Sequence, residues 1–232
     1  MTGLIKSIRR VKALKIAKHI LEDQVSAVKL RAGRYVFHIG STHSGFSLQE
    51  SVSYINTVYD DYLRYAGLGK TDLSGKNILE IGPGDNLGVA LRFIAAGAGK
   101  IVCIDRIYPS RNKRQQHRIY LALRDCLGPE EKERFDSAVT LKDNKVRFHD
   151  DKIKYIHGVD IKDADKAIKG ESFDLMISRA ALEHVYDIDS AINAMDKYLR
   201  KGGYHIHKVD LRDHGMFTRD GYNPLFFLTI PA

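Results

Sequence analysis

The chain has 232 residues, 44% hydrophobic and 28% charged, which suits one sizeable buried core with additions and excludes a disordered or low-complexity protein. Two cysteines, with no CxxC pair and no His/Cys cluster at zinc spacing, exclude a disulfide scaffold and a structural zinc module, and no metal site is expected. No apolar run is long enough to span a bilayer and no signal peptide is present, so the expected location is cytoplasmic.

The net charge of +8 is unevenly placed. Residues 1–34 hold nine Lys or Arg against Glu22 and Asp23, so this segment alone is +7 and the rest is nearly neutral. In it Leu4, Ile8, Val11, Leu14, Ala17, Leu21, Val25 and Val28 recur at three- and four-residue steps, which predicts an amphipathic helix with a basic opposite face. The preferred reading is a helix that docks on the domain or on another subunit of a homo-oligomer. Peripheral contact of residues 1–30 with an anionic membrane is the alternative. A transit peptide is a third reading, weakened by scarce Ser and by Lys outnumbering Arg.

A polar loop, Gly40 to Gly45, follows, and His43 in it reads as a solvated histidine. Ser47 and Glu50 have capping-box spacing and open a helix carrying Val52, Ile55, Val58, Tyr59, Tyr62 and Leu63, ending near Gly67. The loop and helix are placed to fold over a crevice formed by what comes next.

Lys76 to Ile81 is predicted as strand one. It runs into Gly82-Pro-Gly84 and a helix over 87–96. Strand, glycine turn and helix make the first βα unit of a doubly wound α/β sheet, with a bare backbone and helix N–H groups facing one crevice. Lys100 to Asp105 is strand two, and its terminal acid stands twenty-one residues after Gly84, where such sheets hold ribose hydroxyls.

Residues 106–152 form a long insertion. It begins with Arg106, Arg111, Lys113, Arg114 and Arg118 without an acid, then reads as two helices split at Gly128-Pro129. The basic run reads either as a holder of an anionic substrate or as a solvated helix face. Strand three, 153–157, leads to Gly158-Val159-Asp160; strand four is 172–178; Asp187 caps a helix ended by Gly202-Gly203; strand five is 204–210. Five strands alternating with helices predict a doubly wound, mostly parallel sheet.

The glycine pattern is Gly82-x-Gly84-x-x-x-Gly88, with Leu87 where a dinucleotide fingerprint has its third glycine, and with Glu80 where such a site is apolar. The ordered motifs over residues 70–212 instead resemble the class I S-adenosylmethionine-dependent methyltransferases, with a Rossmann-like fold. Leu79-Glu-Ile-Gly-Pro-Gly84 looks like their first motif, Phe173 to Val185 like their fourth-strand motif, and Leu199-Arg-Lys-Gly-Gly203 like the lead-in to strand five. Ser178-Arg-Ala-Ala replaces the Asn-Pro-Pro-Tyr of DNA-modifying branches, and the type 11 small-molecule branch is the nearest in pattern.

The resemblance implies S-adenosylmethionine as cofactor. It implies that Gly82 and Gly84 meet its methionine part, that Glu80 organises the loop or reaches the amine through water, and that Asp105, followed by Arg106, holds the ribose. Asp160, with the backbone of Val159 and Ile161, would contact adenine, and Ser178 and Arg179 would lie by the sulfonium. If the acceptor is a hydroxyl, a general base helps. Candidates are His184, His207, Asp210, Asp213 and His214, with His214 the first choice.

The domain plan is a basic helix over 1–34, a helical lead-in over 35–75 and the methyltransferase domain over 76–232, whose closing hairpin looks incomplete. Phe226, Phe227 and Leu228 could instead pair with another subunit. The acceptor expected by analogy is a small molecule, a sugar or glycan precursor. RNA, suggested by the basic segments, is the competing acceptor, and a non-catalytic cofactor-binding interaction module is the competing class. An NAD-dependent enzyme is disfavoured at Leu87 and Glu80.

Overall fold

In a computed structural model of the chain, the described residues are 12–31, 42–213, 215, 218 and 221–229. The chain divides into two units, residues 36–209 and the terminal segments 1–35 with 210–232.

In the terminal unit, α1 (Lys12–Arg31) is helical within the predicted span, with Lys18 and Glu22 paired one turn apart at 3.5 Å. Leu4, Ile8 and Val11 of the predicted stripe lie outside the described residues. Beyond Val209 no strand occurs among the described residues. The end of the expected hairpin forms a short 3₁₀ turn instead, Phe226–Thr229. Asp213 organises this region: its side chain accepts from the Gly215 and Thr218 N–H groups at 2.9 and 2.7 Å, and its own N–H donates to the Pro224 carbonyl at 3.0 Å. His214 lies outside the described residues.

The larger unit is built on five strands, β1 (Asn77–Ile81), β2 (Lys100–Asp105), β5 (Ile153–His157), β6 (Phe173–Arg179) and β7 (Leu199–Lys208), in the order β5-β2-β1-β6-β7. Every pairing in this sheet is parallel, so it is a doubly wound α/β sheet as the strand–helix alternation predicts. The chain moves outward from β1 through β2 to β5, then returns to the other side of β1. The direction therefore reverses between β1 and β6, where such sheets open a crevice at their carboxyl ends.

Alternation along the strands divides the core. Ile78, Ile101, Cys103, Leu175 and Ile177 pack with α2 (Leu48–Ala66), α3 (Gly88–Ala95) and α4 (Lys113–Asp125) through Ile55, Tyr59, Phe93 and Tyr120. Leu79, Val102 and Met176 face the opposite layer, with Ile161, Ile168 and Met195, the last from α6 (Ile188–Tyr198). The predicted capping box starts α2: the Ser47 hydroxyl accepts from Glu50 N–H at 3.2 Å and the Glu50 carboxylate accepts from Ser47 N–H at 2.8 Å.

Within the insertion, α4 and α5 (Pro129–Ala138) split at Gly128-Pro129 as expected. An antiparallel hairpin, β3 (Val139–Lys142) with β4 (Lys145–Phe148), was not expected. Its two-residue turn, Asp143-Asn144, has both φ angles positive, 53° and 57°, the turn geometry that matches strand twist.

The fifth strand of the sequence reading also needs correction: β7 begins at Leu199, five residues before Tyr204, and Gly202-Gly203 lies inside it rather than closing a helix. A side chain at Gly203 would stand 2.9 Å from the Asp174 carbonyl, and the β6–β7 register slips between Phe173 and Leu175. The glycines therefore form an irregularity that lets two backbones approach.

Candidate functional site

Glu80 sits on the face of β1 that meets the α2–α4 core, between Ile78 and the start of the glycine turn. Its carboxyl is buried, and the Cys103 thiol on β2 donates to Oε2 at 3.5 Å. Burial disfavours the ionised form and pushes the Glu80 pKa up to about 7. Glu80 therefore exchanges its proton near neutrality, and a cation brought near it would ionise it.

The turn after β1 is held from several sides. Gly82 and Gly84 have φ of 69° and 71°, a region L side chains rarely adopt. A methyl group on Gly82 would stand 2.6 Å from Ala181 Cβ in the loop after β6, so the two loops touch across the switch point. Gly82 N–H donates to the Ile104 carbonyl of β2 at 2.8 Å. Gly88, at the start of α3, would place a methyl 2.5 Å from Ile55 of α2. That contact explains why the third glycine stands at 88.

The insertion supplies the remaining grip. Arg111 Nη2 donates to the Gly84 carbonyl at 3.0 Å, Gln116 Nε2 donates to the Asp85 carbonyl, and the Tyr120 hydroxyl accepts from Leu87 N–H at 2.9 Å. The guanidinium of Arg111 also lies 4.0 Å from the centre of the Tyr155 ring. Arg111 is thus turned inward, while the sequence reading grouped it with the solvated or substrate-holding run.

Asp105 ends β2 across from the turn. Its carboxylate accepts from Ile107 N–H at 3.2 Å and faces the Gly84 N–H, and burial raises its pKa to about 6. Arg106 beside it reaches the His184 carbonyl at 3.5 Å and lies over the Tyr186 ring. Val159 N–H donates to the Asp105 carbonyl at 3.4 Å. The Asp160 side chain caps the 3₁₀ turn Ile161–Lys166 through Lys162 N–H at 3.3 Å, and Ile161 is buried in the core. The predicted ribose and adenine segments therefore meet at the tips of β2 and β5.

On the other side of β1, Ser178 Oγ is 2.8 Å from His207 Nδ1, joining the tips of β6 and β7. Burial lowers the His207 pKa to about 4, so its ring is neutral at physiological pH. Arg179 is anchored away from Ser178, donating to Asp61 of α2 at 2.8 Å and lying over Tyr54. Hydrogen bonds from Arg179 and Arg64 bring the Asp61 pKa down to about 2. His184 is exposed in the loop after β6.

The reading of His43 as a solvated histidine is overturned: it is 6% exposed and packs against Phe46 and Tyr54. Its N–H donates to Asp85 Oδ2 at 3.2 Å, so the 42–45 turn closes over the glycine loop. Burial lowers the His43 pKa to about 4 and raises that of Asp85 to about 6. Asp85, directly after Gly84, carried a readable position. The loop holding His43 was placed to fold over the crevice, whereas Gln116 and Tyr120 carried no such signal.

The site fits a polar cationic cofactor. Acids at Glu80, Asp85 and Asp105 ring the turn, and Asn86 Nδ2, Arg111 Nε, Tyr155 OH, His207 Nε2 and both Glu183 carboxylate oxygens are buried without a protein partner among the described residues. Buried polar atoms are rarely left so, and a ligand rich in polar groups would complete them.

An open parallel sheet with an acid-ringed glycine turn at its switch point defines the class I S-adenosylmethionine-dependent methyltransferase fold. The methyltransferase-domain family model Methyltransf_23 matches residues 52–225, and the chain belongs to that family. No curated protein matches the chain. Among solved structures it is similar to a Thiobacillus denitrificans SAM-dependent methyltransferase in complex with S-adenosyl-L-homocysteine, with 14% identity, TM-score 0.36, and 78% of this chain covering 54% of that one. A cyclopropane-fatty-acyl-phospholipid synthase-like protein from Lactobacillus casei has 13% identity and TM-score 0.37, covering 66% of this chain and 47% of its own. Arabidopsis thaliana protein arginine methyltransferase 10 has 19% identity and TM-score 0.35, covering 66% and 33%. The chain thus spans between a third and just over half of these three proteins.

Proposed function

We propose that the chain transfers a methyl group from S-adenosylmethionine to a small-molecule acceptor, with a sugar or glycan precursor suggested by analogy. The observation that carries this reading is the pairing of Glu80 with Asp105 around the Gly82–Gly84 turn, on the β1 side of the switch point. The cofactor supplies the activated methyl on a sulfonium. Asp105 would accept from the ribose hydroxyls, the Gly82–Gly84 backbone would pass close to the methionine part, and the backbone of 159–161 would border adenine. Glu80 would add a further compensating negative charge once its proton leaves.

The reacting end of the acceptor falls to the tips of β6 and β7. There the chain's task is to align a nucleophile and exclude water. For a hydroxyl acceptor, an imidazole among His184, His207 and His214 would take the proton. His207 has its Nδ1 held by the Ser178 hydroxyl at 2.8 Å, at the tips of β6 and β7.

The test is calorimetry with S-adenosylhomocysteine, followed by transfer of labelled methyl into a pool of small acceptors. Saturable binding and labelled small products are expected. Absence of binding overturns the cofactor assignment. Label appearing in RNA alone overturns the small-molecule assignment, and binding without any transfer favours the interaction module.

A further inference from the structure

The basic run of the insertion is divided in two. Arg111 turns into the crevice, whereas Arg114 and Arg118 stand exposed on α4 and line an open cavity of about 330 Å³ against the start of α2. These two side chains are four residues apart, so they lie one above the other on a single helix face. Neither has a hydrogen-bond or ion-pair partner among the described residues. Phe46 and Leu48 supply an apolar wall, and no acid is among the lining residues. The nearby Glu50 carboxylate is engaged by Ser47 N–H in the capping box.

The cavity borders the cofactor crevice through one residue. Gln115, which lines the cavity, donates to the Phe46 carbonyl at 3.3 Å and to the His43 carbonyl, and His43 in turn donates to Asp85 beside the glycine turn. Two unpaired guanidiniums above an apolar wall suit a ligand with an anionic end and a hydrocarbon or ring body. The cavity seats a body of small-molecule size. Arginine's planar fork matches the oxygens of a phosphate.

We propose that this cavity binds the anionic end of the methyl acceptor, a phosphate monoester on a small apolar body. The proposal deepens the methyltransferase reading and rests on it for the word acceptor, while the binding itself stands apart from the cofactor site.

The experiment titrates the full chain calorimetrically with hexyl phosphate, inorganic phosphate, hexanoate and a short single-stranded RNA, alongside S-adenosylhomocysteine. The same titrations are run on a variant carrying Arg114→Ala and Arg118→Ala. Expected is saturable binding of hexyl phosphate that weakens at least tenfold in the double variant, with S-adenosylhomocysteine affinity held within twofold. Inorganic phosphate should bind at least fivefold more weakly than hexyl phosphate. No saturable binding of hexyl phosphate overturns the proposal, as does equal binding by the double variant. Hexanoate binding as tightly as hexyl phosphate overturns the phosphate assignment, and RNA binding far more tightly through the same arginines overturns the small-acceptor assignment. Failure of S-adenosylhomocysteine to bind would sink the methyltransferase reading alone and leave the cavity result legible.

Discussion

The Tyr120 hydroxyl, from the middle of the insertion's first helix, accepts a 2.9 Å hydrogen bond from the Leu87 N–H at the start of α3. Both residues are buried, so no solvent can replace the bond. Tyr120→Phe keeps the packing and orphans one backbone donor at a cost of about 1–3 kcal/mol. Thermal unfolding should fall by several degrees. Because Leu87 follows the glycine turn, S-adenosylhomocysteine affinity should fall with it. An unchanged melting temperature would show that the insertion does not brace the turn.

Glu80 makes stability depend on pH in a defined direction. Its folded pKa, about 7, lies above its ordinary 4.5, so between these values the native state holds the proton more tightly than the unfolded chain. Stability therefore falls as pH rises through this window, by up to about 3 kcal/mol, and the loss is complete above it. His43 acts oppositely: its pKa is lowered from 6.5 to about 4, so stability is lost as pH falls through that range. Comparing Glu80→Gln with the parent removes the histidine contribution. The variant should gain stability relative to the parent at pH 8 and not at pH 4.5, read by denaturant unfolding.

The same carboxyl should report ligand charge. A cationic cofactor beside a Glu80 that is half protonated near pH 7 would expel the proton. Binding heats of S-adenosylmethionine measured at pH 6.5 in buffers of different ionisation enthalpy should show net proton release. In Glu80→Gln that release should shrink. Identical release in both proteins would place the titrating group elsewhere, with Asp105 the next candidate.

Asp105→Asn keeps the shape of the strand tip and removes the charge that would strengthen bonds to ribose hydroxyls. Such bonds contribute about 1.5–3 kcal/mol, so affinity for S-adenosylhomocysteine should weaken roughly 10- to 100-fold. An affinity within twofold of the parent would remove the ribose role.

Much of this architecture can be read from the chain because apolar runs and glycine turns are local. The strands at 77–81, 100–105, 153–157 and 173–179 each follow from a short β-favouring run. The Asp143-Asn144 hairpin was legible in principle from its turn pair, yet its strands are only four residues each and half exposed. The start of β7 was hidden because Gly202-Gly203 reads as a helix stop, and only the approach of Asp174 makes it an irregularity within the strand. The braces at His43, Arg111, Gln116 and Tyr120 join residues 27 to 42 positions apart, among them Arg111 with Gly84 and His43 with Asp85, and no local pattern encodes such contacts.

Gly82→Ala tests how closely the two loops meet. The left-handed backbone alone costs an L residue about 1–2 kcal/mol, and the added methyl would collide with Ala181. Destabilisation should exceed that of Gly158→Ala, where φ is 74° but no atom lies within 4 Å. Equal losses at the two positions would argue that the loops are free to part.

The pairing of the sheet also sets an order of assembly. β1 meets β2 across 23 residues, whereas its bond to the other half, Asn77 N–H to Asp174 at 2.8 Å, closes 97 residues. Long closures form later than short ones, and a nascent chain cannot make them until the distant strand has emerged. Glu80, the glycine turn, Asp105 and residues 158–161 all lie on the early side of that division. A growing chain would therefore complete the cofactor half of its crevice before β6 and β7 bring the side that meets the acceptor's reacting end.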